Sequence, residues 1–323
     1  MVTGYYVAVD GGNSKTDVLI GDSTGHILAR VRGGGSSPFH LGFDGTIALL
    51  DKLIADAQAQ AGGVPLDRAE LYLAGADLPH EVAALQAGAE GADWAAVHLV
   101  DNDTFALLRA GTDAPDAIAV VCGAGTNCVG RAADGRTARF PALGEITGDW
   151  GGGHHLARLA LWHAVRGEDG RGPATALTAA VAAHFGRDGA EAVGVALHLG
   201  EISIDQVPEL SPLLFTVAET GDAVALAVIE QQAEEIVAQA TVAARRLDLL
   251  DKPHAVVLGG GVLQSEQPLL LAGIRSRLVP AAEPVVVTSP PVLGAALLAL
   301  DGLGASVESH ALLRAALSPP RAG

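Results

Sequence analysis

The stretch VAVDGGNSKTDVLIGD, residues 7–22, joins two short apolar runs through a Gly-Gly turn. Five polar residues lie in or beside that turn: Asp10, Asn13, Ser14, Lys15 and Thr16. A simple β-hairpin needs only one Asn-Gly or Gly-Gly pair at such a position. Glycine turns that also carry hydroxyl and lysine side chains present backbone N–H groups and a cationic donor to a phosphate. The stretch therefore predicts two strands joined by a phosphate-binding turn.

The first third of the chain extends this pattern into a regular order of elements. Apolar runs at residues 5–10, 17–20 and 26–32 predict a three-stranded antiparallel meander. Residues 45–63 have helical spacing. ELYLAGA, HEVAALQAGAEGA and AVHLVDND then predict a strand, a helix and a strand, and a further helix starts at Asp103. The order βββαβαβα favours parallel pairing of the later strands through crossover helices.

The second half of the chain starts in the same way. IAVVCGAGTNCVGRAADGRTARF repeats the strand, glycine turn and strand, with Cys122 at the position of Asp10 and Thr126 at that of Ser14, both at the same offset. Two related halves explain this repeat, and chance similarity between two glycine-rich hairpins is the alternative. Helical spacing follows over residues 154–247, and a strand then runs into the glycine turn 259–261. We expect this third turn to lie close to the adenosine of a nucleotide.

Composition narrows the class of protein. The 323 residues are 49% hydrophobic and 4% aromatic, with 41 glycines, which suits two domains of helices packed on sheets. The formal net charge of −17 disfavours a nucleic-acid or anionic-membrane partner, because both reward basic patches. No apolar run approaches the length of a bilayer span, and no basic segment with an apolar run precedes the first strand. We expect a soluble cytoplasmic protein without nucleic-acid or membrane partners.

Four motifs together carry a resemblance to a known group of proteins. VDGGNSKTD, VDNDTFALLRAG, VVCGAGTNCVG and GEITGDWGGG resemble the BadF/BadG-type ATPases of the actin/hexokinase/Hsp70 superfold, and within them N-acetylglucosamine kinase. The resemblance implies an α/β fold of two actin-like (ribonuclease H-like) lobes. Each lobe would be a mixed five-stranded sheet with flanking helices, with nucleotide and sugar in the cleft between the lobes. The N-terminal lobe would comprise residues 1–112 and a C-terminal helix at 291–323, and the C-terminal lobe residues 113–290.

The resemblance also implies roles for individual residues. Asp10 would orient Mg²⁺ through water, and Asp103 would be the catalytic carboxylate. For ATP and its phosphates it implies Gly11, Gly12, Asn13, Ser14, Lys15, Gly125, Thr126, Asn127, Gly260 and Gly261. For the sugar it implies Ser37, Asn102, Asp103, Gly148, Asp149 and Trp150. The chemistry suits Asp103, since a carboxylate that accepts a sugar hydroxyl's hydrogen bond both aims it and takes its proton. A helix cap without chemistry is the alternative for this residue.

The chain departs from the family's motifs at four places. Asn13 replaces a usual third glycine, and asparagine tolerates a positive φ better than other side chains do. Trp150 stands where the family has Glu, and Gly152 where it has Ser; the Trp150 indole could stack on a pyranose ring or serve only in packing. The segment GGGSSPFHLG, residues 33–42, lacks the asparagine that contacts the sugar in the family. The family's residue for recognising the acyl-amino group of the sugar is therefore missing from this segment.

These observations predict an ATP- and Mg²⁺-dependent sugar kinase. Its substrate would be the primary hydroxyl of an amino sugar, with N-acetylglucosamine giving N-acetylglucosamine 6-phosphate, and the enzyme would be a homodimer. Glucosamine or another hexose is the first alternative substrate. A BadF-type activator ATPase is a second alternative, but it needs cysteines that bridge an iron–sulfur cluster. Cys122 in the phosphate loop and Cys128 in the next strand form no CxxC pair and disfavour such a cluster. A sugar-sensing regulator would need a DNA-binding segment.

Overall fold

The computed structural model describes residues 4–317. Its strands are β1 (Tyr5–Gly11), β2 (Lys15–Asp22), β3 (Ile27–Gly34), β4 (Arg68–Leu73), β5 (Val97–Asn102), β6 (Ala117–Cys122), β7 (Thr126–Arg131), β8 (Thr137–Arg139), β9 (His254–Gly259) and β10 (Ala282–Val286). Its α-helices are α1 (Pro38–Gln60), α2 (Pro79–Ala92), α3 (Asp103–Gly111), α4 (Gly153–Asp169), α5 (Leu177–His184), α6 (Ala190–His198), α7 (Leu210–Glu219), α8 (Ala223–Arg246), α9 (Gly261–Gln264), α10 (Pro268–Arg277), α11 (Val292–Gly302) and α12 (Val307–Leu317). Short 3₁₀ segments cover Gly144–Thr147 and Ile204–Glu209.

The first sheet has the strand order β3-β2-β1-β4-β5. Its β1–β2 and β2–β3 pairs are antiparallel, whereas β1–β4 and β4–β5 are parallel. The predicted meander and the predicted parallel strands are therefore confirmed. Strand β1 is buried on both faces, which explains its unbroken apolar run, because a central strand covered on both sides cannot alternate with polar residues. Val7 and Val9 join the core formed with Leu50 and Leu85 of the flanking helices.

The second sheet has the order β10-β9-β6-β7-β8. Its β9–β10 pair is parallel and its β7–β8 pair antiparallel, so this sheet is mixed as well. Its order β8-β7-β6-β9-β10 matches the order β3-β2-β1-β4-β5 of the first sheet strand for strand. The repeat in the sequence thus corresponds to a repeat in topology, and the prediction of two mixed five-stranded sheets with flanking helices is confirmed.

Contacts divide the chain into two compact units. The described part of the first unit comprises residues 4–119, 129–141 and 287–317, and the second unit comprises residues 120–128 and 142–286. The lobe boundaries expected from the sequence, residues 1–112 with 291–323 and residues 113–290, stay a prediction. Within residues 4–317, no single helix is long and apolar enough to cross a membrane, although Ile204–Glu219 with Ala223–Arg246 pass that test as a bent pair.

Two helices differ from their predicted bounds. Helix α1 begins at Pro38 rather than near residue 45, because proline suits the first turn, and it bends at Gly42, whose φ of 69° and ψ of 169° are not helical. The single closing helix expected at 291–323 is wrong for the described residues, since α11 and α12 are separated by a break. Gly304 in that break has a φ of 64°, the left-handed conformation that ends helices. Residues 318–323 lie outside the described residues.

Helix α11 packs into the first sheet without room for a larger side chain at Gly294. The helix is buried from Val292 to Leu297 and contacts β1, β4 and α3. A Cβ atom at Gly294 would overlap the carbonyl oxygen of Ala106 in α3. Close approach of two helices through a glycine therefore fixes their spacing.

We expect Gly294→Ala to destabilise the protein by about 1–3 kcal/mol, since the backbone of α3 must shift to admit the methyl group. Thermal unfolding followed by circular dichroism measures the effect. Gly91→Ala is the matched control, because a Cβ there meets no atom within 4 Å. In a helix, that control should be neutral or slightly stabilising. Equal unfolding temperatures for the two variants would contradict the close packing of α11 on α3.

Candidate active site

The first glycine turn connects β1 to β2 as predicted. The Gly12 N–H donates to the Lys15 carbonyl oxygen at 2.8 Å, which closes the turn. Asn13, Ser14 and Lys15 are exposed at its tip, so their side chains and nearby N–H groups can reach a ligand. A tight turn with exposed donors is the arrangement that binds phosphate oxygens.

Gly11, next to this turn, has no room for a side chain. A Cβ atom at Gly11 would overlap the Ser36 hydroxyl and lie 2.5 Å from a methyl group of Leu73. Asn13 does not have a positive φ, because the non-glycine residues with positive φ in the described chain are Asp93, Ala142, Asp248 and Glu266. The expectation that asparagine was placed there for a left-handed conformation is therefore wrong.

Asp10 is a buried carboxylate that makes no hydrogen bond or ion pair within the described residues. It lies opposite Asp17 in the β1–β2 pair, but Asp17 is bound by Arg32 through two hydrogen bonds of 2.8 and 2.9 Å. Within residues 4–317, Asp10 forms no hydrogen bond or ion pair. Burial, followed by the negative charges of Asp103 and Asp17, raises the pKa of Asp10 to about 8. An unpartnered buried carboxylate is costly, so this position favours a bound cation.

The donor set around Asp10 fits Mg²⁺. Within the described residues no group of three or more His, Cys, Asp or Glu side chains could hold a metal ion. Mg²⁺ keeps several waters and is commonly bound through one or two carboxylates together with substrate phosphates. Asp10, beside the exposed turn that is predicted to bind phosphate, would supply that kind of partial coordination. The site therefore fits a metal that arrives with a polyphosphate, and it does not fit a structural metal.

Asp103 is the first residue of α3, and it does not cap the helix. The N-cap is Asn102, whose side-chain oxygen accepts the Thr104 N–H at 3.0 Å. The alternative reading of Asp103 as a helix cap is thus wrong. Burial raises the pKa of Asp103 to about 6, and hydrogen bonds from Thr104 limit the rise. Near neutral pH this carboxylate is ionised and close to the pKa that suits a general base.

Asn102 itself is held firmly in place. It is 3% exposed, and its side-chain nitrogen donates to Asp77 at 2.8 Å while its oxygen caps α3. Its predicted sugar contact stays a prediction. Ser37 is also buried, at the N-terminus of α1, and its side chain makes no capping hydrogen bond. The predicted contact of Ser37 with the sugar also stays a prediction.

An arginine that the sequence did not point to supports the start of α3. Arg139 bonds Asp101 at 2.7 Å, and its guanidinium lies 4.5 Å from the centre of the Phe105 ring. These two contacts flank Asp103 on either side along the chain. A cation that pairs with both an acid and an aromatic ring fixes local geometry better than either contact alone.

In the second unit, three glycine turns from distant parts of the sequence meet. Gly153 N–H donates to the Gly123 carbonyl oxygen at 2.7 Å, which joins the turn after Trp150 to the predicted second phosphate loop. A Cβ at Gly152 would lie 2.5 Å from the Cα of Gly125. A Cβ at Gly260 would lie 2.5 Å from the carbonyl carbon of Cys122. Gly152 and Gly260 also have φ values of 84° and 86°, so both need glycine for space and conformation.

The predicted second phosphate loop has an exposed tip, as the predicted first loop has. Ala124 and Gly125 are exposed, and Gly123 N–H donates to the Gly125 carbonyl oxygen at 2.9 Å. Thr126 and Asn127 start β7 and are half-buried. Gly261, beyond Gly260, opens helix α9 and is exposed.

The predicted sugar turn is built around Asp149. Its carboxylate accepts hydrogen bonds from Gly144 N–H and the Thr147 hydroxyl, both at 2.9 Å. Gly148, with a φ of 85°, allows the chain to reverse there. The Trp150 ring lies 4.8 Å from that of His155, between centroids. Trp150 thus has a packing partner, and its contact with a sugar stays a prediction.

Both cysteines are unsuited to a surface cluster. Cys122 and Cys128 are fully buried and free. Burial raises the pKa of the Cys122 thiol to about 12 and that of Cys128 further. Iron–sulfur ligands are thiolates, so these buried neutral thiols do not provide a cluster shared at a subunit surface.

With this geometry in place, comparison with known proteins assigns a family. The chain belongs to the BadF/BadG/BcrA/BcrD ATPase family, which it matches over residues 7–299. The predicted resemblance is confirmed, and use of ATP follows from the family.

Characterised relatives of the chain are sugar kinases. It is 23% identical to an N-acetylmuramic acid/N-acetylglucosamine kinase of Clostridium acetobutylicum, over 81% of this chain and 86% of that protein. It is 24% identical to an N-acetyl-D-glucosamine kinase of Dictyostelium discoideum, over 92% and 98%. A crystal structure described as a proposed N-acetylglucosamine kinase of Chromobacterium violaceum superposes with a TM-score of 0.69 at 25% identity, over 91% and 98%. The actin-like fold expected from the motifs is confirmed.

Proposed function

We propose that the protein is an ATP-dependent kinase that transfers the γ-phosphate to a primary hydroxyl of an amino sugar. N-acetylglucosamine, giving N-acetylglucosamine 6-phosphate, is the first candidate substrate, and the names of the relatives support this choice. The observation that carries the proposal is a pair of interacting carboxylates, the half-buried Asp103 and the buried Asp10, beside the predicted phosphate-binding turn. Asp103 is suited to accepting a proton, and Asp10 is suited to binding a cation.

Asp103 acts as the general base in this proposal. Its carboxylate accepts the hydrogen bond of the sugar hydroxyl and takes its proton as the oxygen attacks the γ-phosphorus. The bond from that phosphorus to the bridging oxygen breaks, and ADP leaves. A pKa near 6 keeps the base ionised at neutral pH yet able to hold the proton.

The two phosphate loops and the third glycine turn bind ATP in this proposal. Ser14 and Lys15, with the N–H groups of Gly11, Gly12 and Asn13, contact the phosphates. Gly125, Thr126 and Asn127 contact the nucleotide from the second loop, and Gly260 and Gly261 lie against the adenosine. Mg²⁺ held at Asp10 would neutralise phosphate charge.

In this proposal the sugar-binding residues supply hydrogen-bonding groups and one aromatic ring. Asp149 uses one carboxylate oxygen within its own turn and keeps acceptor capacity for sugar hydroxyls. Trp150 offers an aromatic face, Gly148 a close backbone approach, and Ser37 and Asn102 hydrogen-bonding groups. Because the family's sugar-contacting asparagine is absent from residues 33–42, glucosamine or another hexose remains the alternative substrate.

Cytoplasmic location and a homodimer complete the proposal. Free ATP and Mg²⁺ are available to an enzyme in the cytoplasm, and two buried free thiols suit a reducing compartment. Trp162 and Ile204 are 51% and 69% exposed and offer apolar surface to a second copy. Analytical ultracentrifugation tests the dimer.

A coupled assay of ADP release tests the reaction. We expect N-acetylglucosamine to stimulate ADP release strongly, with one phosphorylated sugar formed per ADP and the phosphate on the primary hydroxyl by ³¹P NMR. N-acetylmuramic acid, glucosamine and glucose in the same panel separate the alternative substrates. ADP release that no sugar stimulates would instead support an activator ATPase and would overturn the kinase.

A further inference from the structure

Helix α8 carries two glutamines on its inner side, one fully buried and one half-buried. Gln232 and Gln239 are seven residues apart, so they lie on one side of the helix. That side is otherwise apolar, with Ala233, Ile236 and Ala240 buried beside them. A buried amide destabilises a core unless its hydrogen bonds are satisfied. The two glutamines therefore need an explanation that packing does not give.

Gln232 binds the glycine turn that follows Trp150. It is fully buried, and its side-chain oxygen accepts the Gly152 N–H at 2.9 Å. Gly151 is in contact as well, because a Cβ there would lie 2.5 Å from the Gln232 nitrogen. That nitrogen has no hydrogen-bond partner within the described residues. Gln232 thus makes one directed bond, to the backbone of the turn.

Gln239 faces the second phosphate loop, two helical turns further along α8. Its side-chain nitrogen lies 3.4 Å from the Thr126 hydroxyl oxygen, and its own oxygen is buried without a partner in residues 4–317. The loop and the glycine turn are also bonded directly, since His154 N–H donates to the Ala124 carbonyl oxygen at 3.1 Å. One face of α8 therefore contacts both the glycine turn 151–154 and the loop 123–126, which are also hydrogen-bonded to each other.

We infer that Gln232 and Gln239 are positioning residues that make the phosphate loop 123–126 and the turn 151–154 a single rigid body. This inference rests on the proposed function for the roles of those two segments, in nucleotide and sugar binding. Loss of the Gln232 acceptor leaves the Gly152 N–H buried and unpaired. The turn then loosens, and the bonds from Gly153 and His154 transmit the change to the phosphate loop.

Hydrogen exchange of the unliganded protein tests the coupling without any activity. In Gln232→Met, amide exchange should become at least tenfold faster in both 123–126 and 151–154 while α8 and the sheets keep wild-type rates. Gln232→Glu retains an acceptor for Gly152 and should restore slow exchange. Gln231→Met is the matched control, because Gln231 is exposed on the same helix. Faster exchange confined to 151–154, or a Glu variant that behaves like the Met variant, would overturn the inference.

Kinetics give a second readout that a purely structural role would not move. The KM values for ATP and for N-acetylglucosamine should both rise about tenfold in Gln232→Met, with a smaller change in kcat. A rise in only one of the two KM values would contradict a shared support. If Gln232→Met does not fold, Gln239→Leu tests the same coupling from the other end through exchange in 151–154. A wild-type protein without sugar kinase activity would overturn the proposed function and leave the exchange test unchanged.

Discussion

Asp103→Asn should lower kcat for sugar phosphorylation by about 10²–10⁴-fold, the usual effect of removing a positioned general base. The amide retains the size of the carboxylate but cannot take the hydroxyl proton. Affinity for MgATP, measured by calorimetry, should stay near wild type, because the proposed mechanism places Asp103 against the sugar hydroxyl rather than the nucleotide. Asp44→Asn, an exposed aspartate on α1, is the control and should keep full activity. More than half of the wild-type kcat in Asp103→Asn would disprove the assignment.

The pH dependence of the wild-type reaction follows from the same residue. The base must be ionised, and burial raises the pKa of Asp103 to about 6. Wild-type kcat/KM should therefore fall as pH decreases through about 6. The residual activity of Asp103→Asn should lack that acid limb.

Asp10→Asn should also cause a large loss of activity, but one that depends on the Mg²⁺ concentration. A neutral amide orients metal-bound water less well than a carboxylate, so activity should fall most at limiting Mg²⁺. Raising Mg²⁺ well above the ATP concentration should restore part of the rate. Lys15→Ala is the comparison, since it removes a positive charge near the phosphates that no excess of metal replaces. Wild-type activity of Asp10→Asn at limiting Mg²⁺ would contradict the cation site.

The raised pKa of Asp10 also predicts how the stability of the folded protein depends on pH, and this can be tested without substrate. Its pKa is about 8 in the folded protein against an ordinary value of 3.8, so the folded state binds the extra proton between these values. Stability therefore falls as pH rises across that window, because deprotonation leaves a buried charge. Without Mg²⁺, Asp10→Asn should unfold at a higher temperature than wild type at pH 9, with little difference at pH 4. Lower stability of the variant at pH 9 would be the opposite result.

The sequence predicted those parts of the molecule that depend on local pattern. The apolar runs around the Gly-Gly turn gave the meander, and Asp103 was placed correctly at the start of α3, since strand and helix periods are visible within a few residues. The residues that hold the candidate site in place could not be predicted in this way. Arg139 reaches Asp101, and Gln232 reaches Gly152, across separations that only tertiary packing closes. The sequence signal for this support is a pair of glutamines seven residues apart within an apolar helix stripe.

The burial of helix α11 has a consequence for biosynthesis. This helix covers β1 and β4, yet it follows them by about two hundred residues along the chain, so both strands are translated well before it. Until residues 292–302 leave the ribosome, the early strands would expose the apolar surface that α11 later covers. Until then, chaperones that bind nascent apolar segments would keep that surface from aggregating. A variant that lacks residues 292–302 would therefore yield an aggregating product rather than a smaller enzyme.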